Sequence, residues 1–509
     1  MLRDDNHEHH EHNDHHDEHD KHDKQYGHDK YPTRNEPHNV LTTPRSDALP
    51  IDSGDLFSDP WMPGLVEVEF EKPSDSGVFD NFDDATERRK PSDKWQSDLL
   101  KVLLDNQMST WKPSFPLTYP WSRRSEEDLE KARKFYIDRG RGRFVTFRFS
   151  GKTDVAEIAA ELRKVPKIVQ AKPMARLLPT QINEPLLGSS PQVQPFASGL
   201  ENQWYAFRCN LPDTLEQVQG NGVVIAAIDW GFDRSHQEYG DGITLRKNIY
   251  HNSEGVGSGR CIHHGTAVLG LAGARLNSHG MAGFAPESAL WAIQAGEDEV
   301  MHPEYWREAI DFVREQDSGL DRKVIILEAQ TASRGNIESD LTINQAIRDA
   351  VASGIVVCVP AGNGRGDAGY DDQEPPQPIP ETGSILVGAT TVDDTVIGRS
   401  GDRITVYAPG DPAHDVTCTS LPERHTNYFG GTSGAVAKVA GAVALLLEAD
   451  NSLTPAEVRD LLRTSKVGVL DEEGTQIPNA VLLDCEYAVY SCTKRREPQR
   501  VLTNCSAMI

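Results

Sequence analysis

Five short runs, VVIAAI (223–228), SALWAI (288–293), KVIILEA (323–329), GIVVCVP (354–360) and SILVGA (384–389), are apolar almost from end to end, and helix-length segments separate several of them. None shows an alternating polar face. Each run must therefore be covered on both sides, the pattern of a parallel sheet held between two helical layers. HPEYWREAIDFVRE (302–315) and SDLTINQAIRDAVAS (339–353) have helical spacing and supply such covers. HGTAVLGLAGA (264–274) and TSGAVAKVAGAVALLLEA (432–449) are further helices whose Gly and Ala let backbones approach closely, and the second is expected at the centre of the core. LTPAEVRDLLRTS (453–465) opens with Thr454 as cap, Pro455 at its first position and Glu457 in its first turn. Ligands of such sheets collect beyond the carboxyl ends of the strands, so the chemistry is to be sought there.

At 509 residues the chain exceeds one ordinary core. LVEVEFE (65–71) alternates like a strand with one buried face, and KWQSDLLKVLLDN (94–106) and SEEDLEKARKFYI (125–137) are amphipathic. RFVTFRFS (143–150), VAEIAAELRKV (155–165) and KIVQAKP (167–173) then give strand, helix and strand. The expected organisation is a disordered His-, Asp- and Glu-rich tail over 1–60, a small α/β accessory domain over 61–178, a Pro- and Gly-punctuated linker over 179–200, a large parallel-sheet α/β domain over 201–485 and a C-terminal tail over 486–509.

A formal charge of −26 repels a phosphate backbone, which excludes nonspecific nucleic-acid binding. The N-terminus lacks the positive and apolar segments of a secretory signal, and no uninterrupted apolar run reaches membrane-spanning length; a cytoplasmic protein without membrane insertion is expected. Seven cysteines without CxxC spacing argue against a zinc framework or a dense disulfide scaffold. Reduced thiols fit better, and Cys485 with Cys492 is the one short pairing for an oxidising compartment. Residues 1–30 hold nine of the 18 histidines, imidazoles able to bind transition metals without a defined geometry.

Three residues stand at the strand ends and helix starts. Asp229 follows VVIAAI directly, where a carboxylate can enter a cleft or simply cap a turn. His264, beside His263, opens a helix, and Ser433 begins another. A serine hydroxyl is a poor nucleophile until an imidazole accepts its proton, and a carboxylate can fix that imidazole's tautomer and stabilise its charged form. Asp229, His264 and Ser433 supply these three roles. PAGNG (360–364) adds Asn363 in a turn after a strand.

With these segments the chain resembles the subtilisin-like serine protease family over about residues 200–485. IDWGF (228–232) is similar to the family's Asp segment, HGTAVLG (264–270) to its His-Gly-Thr segment and GTSGAVAKVAG (431–441) to its Gly-Thr-Ser helix, in the family's order. The resemblance implies catalytic roles for Asp229, His264 (rather than His263) and Ser433, and an oxyanion-hole role for Asn363. It further implies an endopeptidase working through an acyl-enzyme on a protein or peptide substrate bound in extended form, with no required cofactor. Retention of the fold without the activity, as a catalytically degenerate peptide- or effector-binding protein, is the competing expectation.

The chain departs from the family at several places. Trp230 stands where Ser or Thr is common, Ala267 where HGTH has its second His, and Gly434-Ala435-Val436-Ala437-Lys438 where Met-Ala-Ser-Pro-His is familiar. At the substrate edge Glu328-Ala329-Gln330 replaces a Ser-Leu-Gly strand end, opposite Ala295-Gly296-Glu297-Asp298-Glu299. The acidic residues Glu297, Asp298, Glu299 and Glu328 read as solvated surface before they read as a pocket for basic side chains. Residues 143–173 resemble the end of a family propeptide, which implies an intramolecular interaction that lays residues 174–200 in the cleft; a permanently attached binding domain fits the same pattern. Asp367, Asp371 and Asp372 form the candidate for a structural calcium site within a solvent-facing loop.

Overall fold

The computed structural model describes residues 60–76, 93–116, 119, 125–150, 154–178, 203–257, 261–277, 280–297, 302–320, 322–415, 417–418, 425–427 and 429–506. The tail expected over 1–60, Pro60 apart, and the linker expected over 179–200 lie outside them. The elements upstream of the linker are β1 (Trp61–Phe70), α1 (Lys94–Asp105), β2 (Met108–Pro113), α2 (Glu126–Asp138), β3 (Phe144–Phe149), α3 (Val155–Leu162), β4 (Ile168–Ala175) and the short β5 (Leu177–Leu178). β1 to β4 form an antiparallel sheet in the order β2-β3-β1-β4. The alternation in LVEVEFE sends Val66, Val68 and Phe70 into a core with Val145, Phe147 and Phe149, roofed by Leu99 and Leu103 of α1 and Ile158 and Leu162 of α3. α3 starts at Asp154 because its carboxylate takes the backbone N–H groups of Ala156 and Glu157.

Downstream come β6 (Val223–Asp229), β7 (Ile243–Asn248), α4 (Ile262–Gly273), β8 (Ala289–Gln294), α5 (Pro303–Glu315), β9 (Arg322–Leu327), β10 (Gln330–Thr331), α6 (Leu341–Ala352), β11 (Val356–Pro360), β12 (Ile385–Thr390), β13 (Val396–Ile397) and β14 (Val406–Pro409). The large sheet runs β13-β12-β11-β9-β6-β8-β7, with β14 also on β12. Every pairing in it is parallel except β12 with β13. The missing polar face in VVIAAI has its reason in β6, the central strand. Val223, Ile225 and Ala227 enter the core on one side, and Val224, Ala226 and Ile228 enter the core on the other.

The chain continues through the hairpin β15 (Thr417–Cys418) and β16 (His425–Thr426) into α7 (Gly431–Ala449), then α8 (Pro455–Leu462) and α9 (Cys485–Ser506). α4 and α7 line one side of the sheet, α5 and α6 the other. α7 is the one helix among the described residues that is long and apolar enough to cross a membrane, and it is 89% buried in the protein core. α9 occupies most of the stretch expected as a C-terminal tail. It also corrects the Cys485–Cys492 pairing: two turns of one helix set them about 10 Å apart along its axis, beyond the reach of a disulfide.

Buried polar contacts join the upstream elements to the large sheet's helices. The Arg141 guanidinium, stacked 4.5 Å over Phe115, holds both Asp311 oxygens of α5 at 2.6 and 2.8 Å and Asp349 of α6 at 2.6 Å. Lys172 of β4 meets Asp371 at 2.8 Å. β5 pairs antiparallel with β10, Leu178 opposite Gln330 and Leu177 opposite Thr331.

Candidate active site

Asp229 ends β6, and its Oδ1 accepts the N–H of Trp230 at 2.6 Å, which turns the carboxylate out of the strand. α4 presents His264 from its first turn. The helix fits because Gly265 has no side chain: a Cβ there would lie 2.3 Å from the Gly231 carbonyl oxygen. His264 Nδ1 lies 2.9 Å from both Asp229 oxygens, and its Nε2 lies 3.1 Å from Ser433 Oγ. All three side chains are buried, and the Phe429 ring stands edge-on to the imidazole at 5.4 Å. Burial pushes the Asp229 carboxyl up from its ordinary value, while the His264 ring and the Trp230 N–H pull it back. Such a chain can carry a proton from the hydroxyl to the imidazole with the carboxylate steadying the charged ring.

Ser433 is the third residue of α7, where backbone N–H groups have no partner within the helix. Gly430 caps that end without a side chain, and Asn363 takes over the task from the loop after β11. Its Oδ1 accepts both the N–H of Thr432 at 2.9 Å and the Thr432 hydroxyl at 3.0 Å, while its own N–H donates to Gln330 Oε1 at 3.0 Å. Tying down the amide oxygen leaves Nδ2 as the donating end. Gly431 adopts φ +63°, and a Cβ there would press within 2.9 Å of the Asn363 amide. The structure therefore brings Asp229, His264, Ser433 and the Asn363-capped helix start together from four separate stretches of chain.

Glu328 differs from its reading as solvated surface. It sits immediately after β9 with its N–H on Ile228 O at 3.0 Å, is fully buried, and brings a carboxylate oxygen within 4.8 Å of ligand-type atoms of Asp229 and His264. Its neighbourhood follows from the parallel β6/β9 pairing, which places Ile228 opposite Leu327 and so brings the two strand ends side by side. Glu297 is engaged at 2.5 Å by His251 Nε2, and Asp298 and Glu299 lie outside the described residues.

The calcium expectation meets carboxylates already in use. Asp371 holds Lys172, Asp372 holds Arg399 and the Thr331 hydroxyl, and Asp367 accepts the N–H of Gly369. A calcium ion would have to displace two buried cations. Two other groups of side chains have metal-ligand character among the described residues: Asp229 with His264 and Glu328, and His236 with Cys418 and His425.

Residues 220–496 match the model of the Subtilase family, Peptidase S8. An intracellular serine protease of Paenibacillus polymyxa is 30% identical over 246 residues, which is 47% of this chain and 71% of that protein. Subtilisin of Bacillus pumilus is 28% identical over 253 residues, 48% of this chain and 84% of that protein. Among solved structures, fervidolysin from Fervidobacterium pennivorans, a keratinolytic enzyme related to subtilisin, superimposes with a TM-score of 0.53 at 17% identity. That likeness, one of fold, covers 84% of this chain and 61% of the other.

Proposed function

Since the chain belongs to the subtilase family, we propose that it is a serine endopeptidase that cleaves peptide bonds through an acyl-enzyme formed on Ser433. The observation that carries this reading is the unbroken line of contacts from Asp229 through His264 to Ser433, at 2.9 and 3.1 Å. Ser433 Oγ attacks the peptide carbonyl carbon as His264 Nε2 takes the hydroxyl proton. Asp229 holds Nδ1–H and stabilises the imidazolium. The Ser433 backbone N–H and Asn363 Nδ2 receive the charge on the carbonyl oxygen. His264 returns its proton to the leaving amine, the C–N bond breaks, and water activated by the same imidazole releases the acid product and restores Ser433.

The substrate adds as an extended strand along Glu328-Ala329-Gln330, with Ala295 to Glu299 as the opposing edge. The pairing of β5 with β10 supports a propeptide-like role for residues 61–178, because the chain's own Leu177 and Leu178 already occupy a backbone edge of that kind. Ser433 and His264 are 0% and 1% exposed, which supports a latent form that must open before a substrate enters. Action inside the cell is supported by relatives named as intracellular serine proteases in Paenibacillus polymyxa and Bacillus subtilis.

A screen of proteome-derived peptides against the wild type, Ser433→Ala and His264→Ala tests this reading, with full-length and naturally processed protein both assayed. Cleavage products that vanish in both variants are expected. Absence of any serine-dependent product in either form overturns the peptidase assignment in favour of a peptide-binding protein.

A further inference from the structure

A second group of reactive side chains is assembled away from Ser433 by the same two segments that deliver Asp229 and Ser433. The loop after β6 supplies His236 and Glu238, and the β15/β16 hairpin places Cys418 directly opposite His425. One nitrogen of each histidine and the Cys418 sulfur lie within 4.8 Å of one another, and all three residues are buried, at 2%, 0% and 2% exposure for His236, Cys418 and His425. The two imidazole rings stand edge to face at 5.5 Å.

We propose that His236, Cys418 and His425 form a structural site for a divalent transition metal of the zinc class, with Glu238 acting on it through His425. The hydrogen bonding around His425 points the same way as the donor set. Glu238 Oε1 lies 2.9 Å from His425 Nε2, which fixes the proton on that nitrogen and turns the lone pair of Nδ1 to the other side. Among the described residues, His425 Nδ1 is buried with no hydrogen-bond partner, as is Glu238 Oε2. A buried imidazole nitrogen without a partner is costly, and a metal ion satisfies it. Two imidazoles and a thiolate are a donor set that zinc and cobalt favour over calcium or magnesium. A divalent ion with one thiolate and the fully buried Glu238 carboxylate also makes the cluster electrically neutral.

Closing the three donors onto an ion whose fourth tetrahedral position is taken by water requires an inward movement of roughly 1 Å, since metal–nitrogen and metal–sulfur bonds are about 2.0–2.3 Å. A long 3.3 Å contact from the Glu238 N–H to His236 Nδ1 is the interaction that binding at that nitrogen replaces. The consequence lies in what the ion joins. The hairpin that leads into α7 is tied to α4 by the Thr417 hydroxyl on Ala267 O at 2.7 Å and to the loop that follows Asp229 by the His425–Glu238 contact, and the metal strengthens the second of these links. This site is independent of the peptidase reading.

The full-length chain, stripped with chelator and titrated with cobalt(II), provides the test. A thiolate-to-cobalt charge-transfer band that saturates at one equivalent is expected, together with a metal-dependent rise in the thermal midpoint. The histidine-rich first 30 residues cannot produce that band, because the first cysteine of the chain is Cys209. Cys418→Ser should abolish it, and Glu238→Gln should keep the band while weakening cobalt binding about 10- to 100-fold. Should the serine variant fail to fold, the glutamine variant and His236→Gln carry the same readout. No charge-transfer band in the wild type, or an undiminished band in Cys418→Ser, overturns the site and leaves a plain His425–Glu238 hydrogen bond.

Discussion

The amide of Asn363 is oriented by what its oxygen does. With Oδ1 committed to the N–H and hydroxyl of Thr432, a rotation that exchanged the two ends of the amide would lose two hydrogen bonds at a buried helix start. The donor Nδ2 is thus preorganised without contacting a substrate. On the proposed oxyanion role, Asn363→Ala is expected to lower kcat by about 10²–10³-fold with little change in KM, because the bond lost would be one made to charge that develops only in the transition state. Steady-state kinetics on a cleaved peptide read it, and a loss confined to KM would assign Asn363 to ground-state binding. Glu328 carries a different lesson. Its neighbours in sequence gave no sign that its carboxylate would be buried beside Asp229 and His264, since that follows from which strand lies next to β6.

α7 shows the same division at the scale of an element. Its small-residue run was expected to be central and is buried nearly throughout, yet it carries Lys438 at 0% exposure. Nζ reaches the Pro409 carbonyl at 2.8 Å and Asp415 at 2.5 Å and lies 4.4 Å over the Tyr205 ring. Burial pushes the Asp415 carboxyl up to about 6 even though Lys438 opposes it. Gly434, one turn earlier, has no such constraint. A Cβ there would find Asp415 and Lys438 at 3.6 Å and Leu271 at 3.8 Å, which is ordinary contact. Gly434→Ala should therefore stabilise the protein by about 1 kcal/mol through the lower backbone entropy of the unfolded chain. Denaturant midpoints measure it, and a midpoint below wild type would mean that the helix start needs glycine for a reason other than space.

For the molecule as a whole, the upstream elements join the large sheet through a shared apolar core that includes Phe115, Phe144 and Leu177 and through buried ion pairs. Arg141 sits between Asp311 and Asp349 with both carboxylates fully buried, so Arg141→Met leaves two anions without their main counter-charge. A loss of about 3–5 kcal/mol is expected from chemical denaturation. Arg141 and Arg314 hold the Asp311 carboxyl well below its ordinary 3.8 against the burial that would raise it. A depressed carboxyl contributes stability that is present above its unfolded pKa and is lost as pH falls through the folded one. Below about pH 4 the wild type should therefore lose stability more steeply than Asp311→Asn. Parallel slopes for the two proteins would remove Asp311 from the acid response.

The sequence by itself determined the five inner strands of the large sheet, three of the four strands of the upstream sheet, most of the helices and the four residues gathered at the candidate site, because two-sided burial, helix caps and local segments such as HGT and GTSG are written in consecutive residues. It could not indicate the Arg141 clamp, the buried Lys438–Asp415 pair, the place of Glu328 or the His236, Cys418 and His425 cluster. Each of these joins residues that are distant in the chain, and the packing of strands, helices and loops decides which charges and ligands meet after burial has removed water as their partner.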